Sequence, residues 1–224
     1  SIVVALIGGI AAALLGQLVA APLLGALNVP EDVLPLALLY LRIYLAGLPV
    51  ILLYNFEAAI FRSIGETKTP LVVLTASGIL NVILNLFFVI VLQMAVAGVA
   101  VATVISNAVS SVLLYWRLRT TKQVIHVDPA FLRVDGEILK RILRIGLPAG
   151  IQSAVFSVSN IIIQSAVNSL GTVVMAATSA SFNIEVITYN ILNSFSQACT
   201  TFVGQNFGAG QVRRCKRTLL LCIA

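Results

Sequence analysis

Leu71-Val-Val-Leu-Thr-Ala-Ser-Gly-Ile-Leu-Asn81-Val-Ile-Leu-Asn85-Leu-Phe-Phe-Val-Ile-Val-Leu-Gln93 carries no charge along its whole length. A helix needs about 20 predominantly apolar residues to cross the hydrocarbon of a bilayer, and this run supplies them. It is too long for a strand and too apolar for a solvated helix. Five more segments pass the same test on either side of it: Ile2 to Leu27, Leu34 to Phe61, Val96 to Trp116, Ile145 to Ser169 and Val173 to Val203. A seventh begins near Leu219. Turn signals fall between them: Asn28-Val-Pro-Glu-Asp32, Gly65-Glu-Thr-Lys-Thr-Pro70 and Asn168-Ser-Leu-Gly171. Pro70 suits the first turn of a helix, where its missing N–H costs nothing.

Composition agrees. Hydrophobic residues make up 59% of the chain and charged residues 10%, with a mean hydropathy of +1.05. Soluble domains carry about 25% charged residues; lipid as solvent removes that requirement for the outward faces. The apolar runs are continuous and do not alternate as barrel strands do, so the fold class is all-α, a polytopic transmembrane helical bundle. The net charge of +6 does not signal nucleic acid, because the basic residues flank hydrophobic spans instead of forming one patch. Cys199, Cys215 and Cys222 lack the spacing of a zinc or redox motif, and His126 is the single histidine. Both ends of the sequence read as cuts through helices, from Ser1 opening onto an apolar run to Leu219–Ala224 starting another.

Basic residues fix the orientation. Arg62 and Lys68 follow the second span; Arg117, Arg119, Lys122, Arg133, Lys140, Arg141 and Arg144 follow the fourth; Arg213, Arg214, Lys216 and Arg217 follow the sixth. Only Arg42 of the 14 lies elsewhere, and Glu31 and Asp32 occupy an odd-numbered loop. Even-numbered loops are therefore expected in the cytoplasm. In the long loop, Leu132, Ile138, Leu139, Ile142 and Leu143 share a helical face with basic residues between them. This predicts an interfacial amphipathic helix leading into the fifth span.

No energy-coupling motif is present. Gly65-Glu-Thr-Lys68-Thr69 lacks both the glycine before the lysine and the preceding strand of a P-loop, so transport by this chain must be secondary or passive. Polar residues inside the spans are costly and therefore informative. Asn81 and Asn85, four apart, share a helix face; interhelical bonding and weak cation ligation both fit amide oxygens. Glu185 lies about a dozen residues into the sixth span, close to the bilayer midplane, where an unpaired carboxyl is placed to exchange a proton. Glu57 and Arg62 are expected to form an interfacial ion pair, and Arg42 to snorkel. Asn183, Asn190, Ser196 and Gln197 on the sixth span, with Gln152, Ser153, Ser157, Asn160 and Gln164 on the fifth, predict a water-accessible cavity.

Four stretches, in order, resemble the multidrug and toxic compound extrusion (MATE) family. Phe202-Val-Gly-Gln-Asn-Phe-Gly-Ala-Gly210 with Arg213-Arg214 is similar to the close of that family's eighth helix. Tyr40-Leu-Arg-Ile43 through Phe61-Arg62-Ser-Ile-Gly65 and Lys68-Thr-Pro70 resembles its fourth helix and following loop. Asn81-Val-Ile-Leu-Asn85 and Gly98-Val-Ala-Val-Ala-Thr103 resemble the fifth and sixth, and Ile145-Gly-Leu-Pro148 the opening of the seventh.

The resemblance implies part of a twelve-helix, two-bundle transporter, running from the third helix to the start of the ninth. Residues 1–117 are then N-lobe helices, 118–144 the interlobe loop and 145–224 the start of the C-lobe. It further implies export of cationic, amphipathic small molecules in exchange for Na⁺ or H⁺, by a monomer in the bacterial inner membrane. No cofactor, nucleic acid or enzymatic step is expected. The family's N-lobe cation site maps onto Asn81, Asn85 and Thr103, but Asn85 stands where the family has an Asp; beyond a Na⁺ there, no metal is expected. Phe156 lies near the position of the seventh-helix carboxylate of other members. Both departures turn attention to Glu185 as the coupling carboxylate, with Gln152, Asn160, Gln164, Asn183, Asn190 and Gln197 as cavity residues. The alternatives are a flippase of lipid-linked oligosaccharides, supported only by Arg42, and a non-transporting membrane scaffold.

Overall fold

A computed structural model describes residues 2–26, 34–128 and 134–223. The turn at Asn28–Asp32 and the residues Leu132 and Arg133 lie outside the described residues. The chain divides into two compact units, 1–134 and 135–224.

The first unit is an antiparallel bundle of α1 (Ile2–Ala26), α2 (Leu34–Ala46), α3 (Leu48–Ser63), α4 (Lys68–Leu86) and α5 (Ala95–Thr120), with a π-helical turn, Phe87–Val91, extending α4. α1 packs along α2 and α3, and α5 packs against α2, α3 and α4. The α1 contact is made by small residues. Ala5, Ala13 and Ala20 are buried, and Gly9 and Gly16 face Pro49 and Leu45 on α3 and α2. Without a hydrophobic driving force in lipid, such close backbone approach is what holds helices together. Larger side chains interlock at one end of the bundle. Ile2 of α1, Phe61 of α3, Val73 of α4, and Leu114 and Leu118 of α5 form a buried cluster there, with Ile125 and Val127 folded back onto it. Val127 N–H donates to Leu118 O at 3.1 Å. That end also carries Arg62, Lys68, Arg117 and Arg119, at the ends of α3, α4 and α5. Along the bundle sides Leu14, Leu15, Leu18 and Val112 are exposed, the pattern of a lipid-facing surface.

The expected single helix from Leu34 to Phe61 is instead two helices bent by 47° at Gly47. Pro49 lacks an N–H, and its ring would clash with the carbonyl of residue 45 in a straight helix. A side chain at position 47 would collide with Val104 of α5, so the break sits directly against α5. α3 ends in a Schellman motif: Glu66 N–H donates to Phe61 O and Gly65 N–H to Arg62 O, with Gly65 at φ +80°. α7 ends the same way, with Gln211 N–H on Asn206 O, Gly210 N–H on Phe207 O and Gly210 at φ +72°. The glycine-rich exit read from the sequence is therefore a left-handed helix stop.

The second unit comprises α6 (Gly136–Ser169), α7 (Thr172–Gly208) and α8 (Val212–Ile223), with α6 packed on α7 and α7 on α8. α6 is one 34-residue helix, where a separate interfacial helix was expected before Ile145. Asp135 caps it, accepting from Glu137 N–H at 2.9 Å and Ile138 N–H at 3.1 Å. The helix continues through Pro148, as transmembrane helices tolerate. Among the described residues, four helices are long and apolar enough to cross a bilayer, or five with α2 and α3 counted as one span. α7 has 37 residues but is not in that set, because its polar residues lower its hydropathy. The sixth expected span is thus long enough but the least apolar of the series.

Candidate functional site

Ser77, Asn81 and Asn85 occupy successive turns of one face of α4, which α5 meets with Thr103, Ser106 and Asn107. Ser77 Oγ donates to Ser106 O at 2.7 Å. Asn81 Nδ2 donates to Ser106 Oγ at 3.2 Å, and Asn85 Nδ2 to Asn81 Oδ1 at 3.0 Å. Ser106 Oγ in turn donates to Thr103 O at 3.0 Å, and Asn107 Nδ2 to the same carbonyl at 2.8 Å. A continuous polar row thus crosses the α4–α5 interface and ends at Asn85 Oδ1, a buried oxygen with no hydrogen-bond partner among the described residues. The π-helical turn begins two residues after Asn85; such turns recur at functional sites.

The three residues expected to ligate a cation are thus not equivalent. Asn81 and Asn85 are directly bonded. Thr103 joins through its carbonyl, while its hydroxyl donates to Val99 O of its own helix at 2.9 Å. The sequence reading missed Ser77 and Ser106, although Ser77 precedes Asn81 by the same four-residue step that links Asn81 to Asn85.

Glu57 is a second polar group inside this unit. The expected ion pair with Arg62 does not form: Glu57 Oε2 accepts from Ser111 Oγ at 2.9 Å, and Oε1 has no partner among the described residues. The two residues are five apart on α3, so their side chains leave the helix on different faces, and Glu57 faces α5 at 0% exposure. Arg42 is exposed, as snorkelling requires, and its backbone carbonyl accepts from Gln17 Nε2 at 2.7 Å. The P-loop-like stretch is an ordinary helix start. Glu66 Oε1 accepts from Lys68 N–H at 2.9 Å and Thr69 N–H at 3.0 Å, occupying the donors that a phosphate would need.

In the second unit Gln152, Asn160, Gln164, Asn183, Glu185, Asn190 and Gln197 are all exposed on α6 and α7. Asn183 Nδ2 donates back to Ser179 O at 2.9 Å. A cavity of about 1040 Å³ lies between α7 and α8, lined by groups that include Phe195, Cys199, Val203, Phe207 and Leu219, and by none of these seven. This cavity is distinct from the water-accessible one expected between the fifth and sixth spans. Cys199 and Cys222, unrelated by motif, both line the α7–α8 cavity.

The family model described as MatE matches residues 1–87 and 148–224. The chain is 31% identical over 192 residues to the probable multidrug resistance protein YpnP of Bacillus subtilis, covering 86% of this chain and 43% of that protein. It is 26% identical over 216 residues to the FAD transporter of Shewanella oneidensis, covering 93% of this chain and 47% of that one. The solved outward-facing structure of a multidrug resistance MATE family transporter aligns with a TM-score of 0.88 at 25% identity, over 99% of this chain and 50% of that chain. The chain spans about half the length of the relatives it matches. A match to a transporter-family model over both units, on an all-helical membrane fold whose polar residues sit within the spans, leads to one conclusion: the chain belongs to the multidrug and toxic compound extrusion (MatE) family of membrane transporters.

Proposed function

We propose that this chain works as part of a secondary transporter that exports amphipathic organic cations in exchange for Na⁺ or H⁺, by alternating access. One observation carries the reading: the polar row between α4 and α5 ends in an amide oxygen that no donor among the described residues satisfies. Polar groups that merely join helices in hydrocarbon are paired with one another. An unpaired buried oxygen is costly, and its cost is relieved when a cation or a ligand donor reaches it.

The donor set constrains the ion. Asn81 and Asn85 offer neutral amide oxygens, and the Thr103 hydroxyl, while donating to Val99 O, keeps its oxygen lone pairs. Neutral oxygens without a carboxylate bind Na⁺ weakly, so the charge that drives coupling is supplied elsewhere. Glu185, in the middle third of α7, takes that role. Gln152, Asn160 and Gln164 on α6, with Asn183, Asn190 and Gln197 on α7, supply amide groups along the substrate path. The basic turns face the cytoplasm.

Efflux of fluorescent cationic dyes from cells expressing the whole transporter that carries this chain tests the reading. Export that stops when ion gradients are collapsed supports it, and separate Na⁺ removal and protonophore treatment identify the ion. A well-expressed protein that moves no cationic dye sinks it. FAD release is the companion assay, because a relative named as an FAD transporter shares 26% of its residues over the matched stretch.

A further inference from the structure

Glu57 is the buried charge-bearing group that this reading leaves unused. It is fully buried between α3 and α5, beside Ala58, Phe61 and Leu114 of the interlocked end. Ser111 Oγ is its one hydrogen-bond partner among the described residues, on Oε2, and Oε1 has none. The charged and titratable groups on the elements around it are Tyr54 and Arg62 on α3, Tyr115, Arg117 and Arg119 on α5, and Lys68 on α4. α2 adds Tyr40, Arg42 and Tyr44, the turn after α3 adds Glu66, the turn after α5 adds Lys122, His126 and Asp128, and α1 has none. None of them bonds to Glu57.

An ionised carboxylate with one neutral donor and no counter-charge is not a stable buried species. Something must neutralise it. A metal cation would require several oxygen ligands, and Ser111 offers one. No group of three or more His, Cys, Asp or Glu side chains able to hold a metal occurs among the described residues. A proton needs no further ligand.

We propose that Glu57 is a proton-binding site at the basic end of the first unit, and that its proton is exchanged with water during the transport cycle. In the buried state Oε1 carries the proton, and Oε2, as the carbonyl oxygen, accepts from Ser111. When helix movement admits water, the Oε1–H bond breaks, the proton passes to water, and the Ser111 hydroxyl continues to donate to the resulting carboxylate. Reburial requires a proton to be taken up again. The site rests on the transport reading above and adds H⁺ as a carried ion in the N-terminal unit, separate from Glu185.

Infrared spectroscopy of the whole transporter in lipid, titrated with base, reads the site directly. Wild-type protein is expected to show a protonated-carboxyl C=O band that is missing in Glu57→Gln. Gln mimics the neutral acid in size and shape, so that variant is expected to fold. Ser111→Ala removes the donor on Oε2 and is expected to move the band to higher frequency, a change that loss of packing alone does not produce. Should Glu57→Gln fail to fold, the Ser111→Ala shift decides. A wild-type spectrum indistinguishable from that of Glu57→Gln, or a band indifferent to both Ser111→Ala and base, overturns the proposal. Dye efflux is measured on the same preparations: a Glu57 band in a protein that transports nothing leaves proton binding standing and removes the antiport reading, whereas efflux without the band removes only Glu57.

Discussion

Glu185 and Asn85 present opposite experimental problems, because one lies exposed on α7 and the other has a buried oxygen in the α4–α5 interface. Glu185→Gln keeps size and hydrogen-bonding capacity while removing the charge. It is expected to abolish ion-coupled dye export at normal membrane levels of protein, and export at the wild-type rate would take Glu185 out of the mechanism. Asn85 gives one bond to Asn81 and wastes its oxygen, so Asn85→Ala is expected to cost less than about 1 kcal/mol of stability, with a weakened efflux response to Na⁺ or pH. Ser106→Ala strips the middle of the row and leaves Asn81 Nδ2 without its acceptor, so a larger loss of about 1–3 kcal/mol is expected. Thermal unfolding in detergent separates the two. At this scale the sequence was informative about residue type and poor about partners. The four-residue step placed Asn81 beside Asn85 correctly, since both lie on one helix. Ser106 and Ser111 could not be found that way, because their partners depend on the register of α5 against α4 and α3, which no spacing along one helix encodes.

Elements were more legible than their breaks. Apolar runs bounded by Gly, Pro and Asn located the helices, but Gly47 and Pro49 passed as part of one span because the surrounding residues are uniformly apolar. Gly65 sits at φ +80°, where a Cβ meets its own backbone; Gly65→Ala is therefore expected to destabilise the α3 exit by about 1–2 kcal/mol, read as a lower melting temperature. The α7–α8 hairpin makes a separate prediction. Since Cys199 and Cys222 line one cavity between α7 and α8, a short bifunctional thiol reagent is expected to join them and so bridge the two helices. Peptide mapping detects the link, and Cys199→Ser abolishes it; failure to form the link in the wild type would show a different register between the two helices.

Across the whole chain, charge placement gives an expectation of sidedness that needs no three-dimensional information. The described ends of α3, α4 and α5 gather Arg62, Lys68, Arg117 and Arg119 at one end of the first unit, as that rule requires. In a protein whose native cysteines are replaced by serine, Gln123→Cys is expected to react with an impermeant maleimide only after cells are opened, and Leu170→Cys in intact cells. The reverse result inverts the topology. The unbroken length of α6 was not legible, because an amphipathic stretch followed by an apolar one reads equally well as two helices. At 34 residues, α6 is about 51 Å long against about 30 Å of hydrocarbon. Some four turns must therefore stand outside the oily layer or be taken up by tilt, and Lys140, Arg141 and Arg144 sit on the turns nearest its start. Each basic side chain at an anionic leaflet contributes about 1 kcal/mol, and a continuous helix passes that pull to its far end as a rod passes torque. The basic turns of α6 thereby act as an interfacial anchor, one of the two influences, with packing against neighbouring helices, that set how a long helix leans.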